Sequence, residues 1–162
     1  ILCSDWSSDV CSSDLFRIVE QLDLEKFEIW YMSYNGNPKS WYRVDRFLHR
    51  VPYEKTPEVY AACDILLKTS LLESFSYPPL EMMASGGYVV AVPNGGNLEY
   101  LKDGENCILY PQGNLAEAKA AIERILTDAE LRKKLDTGAE ETVKERNWKR
   151  IEPQILEQYL GK

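Results

Sequence analysis

The stretch Glu73-Ser-Phe-Ser-Tyr-Pro-Pro-Leu-Glu81 constrains this chain more tightly than any other. Its two acids stand eight positions apart with two prolines between them. One continuous helix cannot hold both, because an interior proline lacks a backbone donor and clashes with the preceding turn. Proline is well placed in a helix's first turn, where the N–H groups have no partner anyway. The pattern therefore predicts a loop at Glu73 and a helix opening near Tyr77, with Glu81 in its first turns. Upstream, Asp64–Thr69 (DILLKT) reads as a short apolar strand. Downstream, Gly86-Gly87 stops the helix after Ala84, and Tyr88–Val92 (YVVAV) is the next strand.

The same alternation runs through most of the chain. Phe16–Leu24 reads as a helix, Phe27–Ser33 and Val44–Leu48 as strands, and Thr56 to about Cys63 as a helix with Thr56 as N-cap. A short helix at Asn97–Leu101 precedes a last strand at Cys107–Tyr110. Three amphipathic helices, roughly 114–126, 128–145 and 148–160, close the chain. Strand–helix repetition of this kind implies right-handed crossovers and a parallel sheet with helices on both faces. Ligands of such α/β sheets bind outside the carboxyl ends of the strands. The loop after DILLKT lies on that edge, and the amides of Phe75, Ser76 and Tyr77 precede the prolines and keep their N–H groups. Free donors at a helix N-terminus suit a phosphate. Two acids beside it suit hydroxyls, and a phosphate flanked by hydroxyls describes a nucleotide sugar.

Composition narrows the classes. At 162 residues, 44% of them hydrophobic, the chain suits one domain with a real core. A formal charge of −7 argues against a nucleic-acid partner. No apolar run approaches the roughly 20 residues that span a bilayer, and the N-terminus lacks the order of a signal peptide. The four cysteines form neither a disulfide framework nor metal-ligand pairs, which suits a reducing cytosol. Asp5–Leu15 (DWSSDVCSSDL) has no periodicity and resembles the translation of a widely used sequencing adapter. Residues 1–15 are accordingly expected to be a disordered, non-native segment outside the fold, with 16–162 a partial nucleotide-sugar-binding domain.

The block Ser70–Glu99 (SLLESFSYPPLEMMASGGYVVAVPNGGNLE) also resembles the C-terminal half of family 4 glycosyltransferases, which have the GT-B fold. Glu73, Glu81, Ala84, Gly86, Gly95, Gly96 and Glu99 match that family's pattern, and flanking likeness extends it to roughly Phe27–Tyr159. The resemblance implies an α/β, Rossmann-like parallel sheet and a retaining sugar transfer from a nucleotide diphosphate. No cofactor or metal is implied, consistent with the lack of any Asp-x-Asp in the sequence. Carried over residue by residue, Glu73 would be the catalytic acid that orients the donor sugar. Ser74, Phe75, Ser76 and Tyr77 would line the sugar and diphosphate, Glu81 would accept from the ribose, and the backbone at Arg50 and Val51 would frame the base.

His49 departs from the family's usual glycine, and Lys68 from its Pro-Ser, the latter with little consequence expected. The resemblance also places an N-terminal acceptor domain, and the cations that grip the diphosphate, upstream of this chain. The implied partners are thus a nucleotide-sugar donor, that missing domain and a glycan or lipid-linked acceptor. The implied setting is polysaccharide synthesis in the cytoplasm or at the inner face of a membrane, with this chain alone inactive. Two other readings stay open: a different GT-B nucleotide-sugar enzyme, such as an epimerase or phosphorylase, and a non-catalytic nucleotide-binding α/β domain. Cys63 and Cys107 are read as buried apolar groups, His49 as a structural or surface histidine and Trp148 as the anchor of the last helix.

Overall fold

A computed structural model describes residues 1–5, 12–23 and 25–161. Its centre is a six-stranded parallel sheet of β1 (Leu2–Asp5), β2 (Trp30–Ser33), β3 (Arg46–His49), β4 (Ile65–Lys68), β5 (Tyr88–Ala91) and β6 (Ile108–Leu109). Around it stand α1 (Ser12–Val19), α2 (Thr56–Ala61), α3 (Tyr77–Ala84), α4 (Leu115–Thr127), α5 (Ala129–Glu145) and α6 (Trp148–Leu160). The strand order is β3-β2-β1-β4-β5-β6, the doubly wound arrangement. It reverses direction between β1 and β4.

Alternation along each strand divides the core in two. Ile65 and Leu67 of β4, with Val90 and Val92, join Phe16, Ile18, Ile122 and Ile125 of α1 and α4 on one face. Leu66, Val89 and Ala91 meet Tyr60 of α2 and Met82 and Met83 of α3 on the other. Every residue of β4 is buried, as expected of a parallel strand covered on both sides. The α3 helix begins at Tyr77 with its prolines in the first turn, as its sequence requires. It ends where Gly86 takes the left-handed conformation at φ 81°.

Four expectations are corrected. Residues 1–5 and 12–15 do not lie outside the fold: Leu2–Asp5 is the strand between β2 and β4, with Leu2 and Cys3 fully buried, and Leu15 packs in the core. The polar Ser/Asp-rich run hides the short apolar start at residues 1–3, which fits the gap between two apolar strands. Residues 6–11 lie outside the described residues. The helix expected at Asn97–Leu101 is a series of turns over 95–100, with isolated bonds such as Leu101 N to Asn97 O at 2.8 Å. The N-cap of α2 is Lys55, since a 3-10 turn at Tyr53–Lys55 runs into the helix and Thr56 Oγ1 donates back to Tyr53 O at 2.7 Å. Trp148 does not anchor α6 by burial: it is 65% exposed, and no residue of that helix is buried.

Candidate functional site

The loop that follows β4 leaves the sheet at the switch point, where a crevice opens beyond the carboxyl ends of diverging strands. There a cavity of about 440 Å³ is lined by Tyr53, Leu72, Glu73, Phe75, Tyr77, Pro78 and Glu81. Both acids picked out by the sequence therefore face one space, Glu73 from the loop and Glu81 from α3. Phe75 and Tyr77 meet edge-to-face at 4.9 Å on its wall, and Phe75 also touches Tyr100. Ser76, the N-cap of α3, is buried, and its carbonyl accepts from the Tyr100 hydroxyl.

Glu73 is held from two directions. The Nζ of Lys68, at the end of β4, lies 2.6 Å from its Oε1, and the lysine side chain is 2% exposed against 19% for the glutamate. The expectation that Lys68 has little consequence is corrected. A buried ammonium must be paired, and the nearest carboxylate is the one at the site. From the other side, Gly96 packs on the loop backbone so closely that a Cβ there would stand 2.4 Å from Glu73 O and 3.0 Å from Phe75 N. Two asparagines fix that second loop. Asn94 Oδ1 accepts from the amides of Gly96 and Asn97, its Nδ2 donates to Ser70 O at 2.9 Å, and Asn97 Nδ2 donates to Val92 O. Glu99 pairs with Arg146 at 2.6 Å and ties the loop to the end of α5, away from the cavity lining.

The environments of the two acids push their ionisation apart. Burial alone would raise the Glu73 carboxyl, but the Lys68 charge and hydrogen bond, helped by Ser76 and Ser70, outweigh it and hold the group below its ordinary value. Burial raises the Glu81 carboxyl, and a hydrogen bond from the Tyr60 hydroxyl offsets that only in part. Acids pushed apart in this way, in one cleft, are candidates for a functional site. Glu73 is thereby set up as a fixed acceptor.

Of the other sequence candidates, Phe75 and Tyr77 line the cavity, whereas Ser74 is exposed outside its lining. Arg50 and Val51 also stand outside it. Arg50 takes a left-handed backbone at φ 52°, and the Val51 carbonyl already accepts from the Tyr34 hydroxyl at 2.5 Å. Tyr53, 72% exposed, reaches the cavity from that direction instead. His49 is exposed and stacks on Phe47. Cys63 and Cys107 are buried free thiols, pushed up by burial to about 11 and about 12. Sequence reasoning missed Lys68, Tyr60, Tyr53 and the Asn94–Asn97 pair. Only Lys68 carried a signal: a lysine closing an apolar strand needs a partner, and the first acid follows five residues later. Among the described residues no group of three His, Cys, Asp or Glu gathers to hold a metal.

A doubly wound parallel sheet with two acids facing a cavity at its switch point has the form of a ligand-binding α/β domain. Comparison with known proteins makes that specific. The profile described as "Glycosyl transferases group 1" matches residues 45–142, more than half of the chain, and the chain belongs to that family. It is 35% identical over 117 residues to the O-antigen biosynthesis protein RfbC of Myxococcus xanthus, covering 70% of this chain and 9% of that protein. It is 33% identical over 116 residues to a D-inositol 3-phosphate glycosyltransferase of Geodermatophilus obscurus, covering 72% of this chain and 25% of that one. The fold matches Anabaena Alr3699/HepE, solved in complex with UDP-glucose, with a TM-score of 0.82 at 20% identity, over 99% of this chain and 49% of that chain. It also matches the C-terminal domain of a glycosyl transferase group 1 protein (LpcC) from Francisella tularensis, with a TM-score of 0.71 at 19% identity, over 90% and 84% of the two chains. This chain thus spans a minor part of the curated relatives and about half of HepE.

Proposed function

We propose that this chain binds the donor of a retaining glycosyl transfer, a nucleotide-diphosphate sugar. The observation that carries the reading is the pair of acids, one held ionised and one shifted up, facing one cavity at the sheet's switch point. In this reading Glu73 accepts from hydroxyls of the donor sugar and fixes its orientation. Glu81 accepts from the ribose. The amides at the start of α3 face the diphosphate, where charge develops as the sugar leaves. The work of the site is positioning and stabilisation of that leaving group. We propose it without a metal, because the sequence has no Asp-x-Asp pair. Arg50 and Val51, at the end of β3, keep the role of framing the base through their backbone.

The name of the Myxococcus relative supports polysaccharide synthesis as the setting, and the HepE complex supports a UDP-sugar as one donor to test. No described helix is long and apolar enough to cross a membrane, and we place the whole protein in the cytoplasm or at a membrane's inner face. The acceptor side belongs to the remainder of the whole protein, and this chain alone is expected to transfer no sugar. Chemical-shift titration of the chain with UDP, GDP and UDP-glucose tests the donor assignment. Shifts should centre on residues 72–81 and reach Tyr53. A response that avoids those residues would overturn it.

A further inference from the structure

The Lys68–Glu73 pair has a property that a surface ion pair lacks: its two ends are buried unequally. The ammonium is 2% exposed and the carboxylate 19%, so the cation sits behind the acid and the acid faces the cavity. Alternation along β4 explains the placement. Ile65 and Leu67 point to the face covered by α1 and α4, whereas Leu66 belongs to the face covered by α3. Lys68, two residues after Leu66, emerges on the α3 side at the strand's carboxyl end. An unpaired buried charge is strongly disfavoured, so the carboxylate oxygen that meets Nζ has little freedom to turn away. The other groups around Glu73 are the hydroxyl-bearing Ser70 and Ser76, the Tyr100 phenol and, across the same cavity, Glu81. Lys68 is the cation among them.

We propose that Lys68 is a positioning residue of the donor site. It holds Glu73 in one rotamer and in its ionised form, so that the carboxylate acts toward the sugar as a hydrogen-bond acceptor and not as a proton donor. The proposal deepens the donor reading and rests on it in one respect: that the ligand meeting Glu73 is a sugar hydroxyl. A further consequence is that the site tolerates acid. Neutralising Lys68 removes the foremost influence that lowers the Glu73 carboxyl, and the acid then protonates at a higher pH.

The test uses the 162-residue chain with carbon-13-labelled glutamate, as parent, as Lys68→Met and as Lys68→Met with Glu73→Gln. First, UDP-glucose and UDP are compared on the parent. A Glu73 carboxyl signal that responds to neither sugar nucleotide nor nucleotide sinks the donor reading and leaves the pair itself untouched. Second, the Glu73 midpoint is followed against pH. It should lie below the ordinary glutamate value in the parent and higher in Lys68→Met, and equal midpoints would overturn the proposal. Third, the preference for UDP-glucose over UDP is measured at a pH midway between the two midpoints and at pH 8. Lys68→Met should lose most of that preference at the lower pH, by about tenfold for each pH unit below the new midpoint, and regain it at the higher. The parent should hold its preference at both. A Lys68→Met chain whose preference follows the parent at both pH values would overturn the positioning role, even with a moved midpoint. The double variant shows whether any loss passes through Glu73: it should have no preference at either pH. A double variant that keeps the parent's preference would overturn the role of both residues.

Discussion

At the scale of single residues, the buried pair makes opposite substitutions unequal. Glu73→Gln strands an ammonium that is 2% exposed, whereas Lys68→Met strands a carboxylate that can still reach water. Removing one partner so that a buried charge is left uncompensated costs about 3–5 kcal/mol. Urea unfolding should therefore show Glu73→Gln as the larger loss, Lys68→Met as the smaller, and the double variant recovering most of the difference. Equal single losses that add in the double variant would show the pair to be energetically independent. Glu73, held low, contributes stability that is present above its unfolded value and is lost as pH falls through its folded one. Glu81 runs the other way: its folded value is raised, so its contribution is full below the unfolded value and is lost as pH rises through the folded one. Its ligand role predicts a different signature. A charge-assisted hydrogen bond to ribose is worth about 1.5–3 kcal/mol. Glu81→Gln should then weaken UDP, GDP and ADP alike by roughly tenfold or more and leave pyrophosphate, which has no ribose, nearly unchanged. Equal losses of pyrophosphate and nucleotide in a titration would remove Glu81 from the ribose.

At the scale of elements, the two glycines of the Gly95-Gly96 pair are predicted to differ. A Cβ on Gly95 meets nothing within 4 Å, whereas one on Gly96 would stand 2.4 Å from the backbone oxygen of Glu73. Backbone cannot give way as a flexible side chain does, and overpacking of this kind costs typically about 1–3 kcal/mol. Gly96→Ala should lower the melting temperature and weaken UDP-glucose, with Gly95→Ala close to the parent in both. Parity of the two variants would show that the approach of these loops is not tight in solution. How much of this was legible in the sequence follows the same division. The α3 helix, the strands on either side of it and the two acids could be read, because prolines, glycines and apolar runs act locally. The parallel sheet followed from alternation alone. The turns at 95–100 could not be told from a helix, since Asn94 and Asn97 satisfy amides by side-chain bonds that no spacing announces. Tyr60 beneath Glu81 and Tyr53 at the cavity mouth are brought to the site by the docking of α2 and the turn before it. That is a tertiary fact with no local signature.

At the scale of the whole molecule, the central question is what the first residues do. The Ser/Asp-rich run that follows them predicts a segment over residues 1–15 outside the fold. The sheet says otherwise. Leu2–Asp5 pairs with Trp30–Ser33 on one side and, through Leu2 and Cys3, with Leu66 and Leu67 on the other. Without it, β2 and β3 lose their link to the remaining strands, and the two halves of the sheet face each other across a gap about two strand spacings wide, roughly 9.5 Å. The terminal ammonium donates to Glu28 O at 2.8 Å, Leu2 and Cys3 each enter a separate core cluster, and Leu15 and Phe16 of α1 cover one of them. Full burial of one leucine-sized side chain is worth about 1.5–3 kcal/mol, and a strand edge exposed on both sides is open to pairing with other chains. Deleting residues 1–5 should therefore lower the melting temperature by roughly 5 °C or more, on the scale of about 2–4 °C per kcal/mol for a domain of 162 residues. It should also favour association at raised concentration. Thermal unfolding and light scattering of the shortened chain check both. A truncated chain with the parent's melting temperature that stays monomeric would show that these residues are dispensable and that the sheet closes without them.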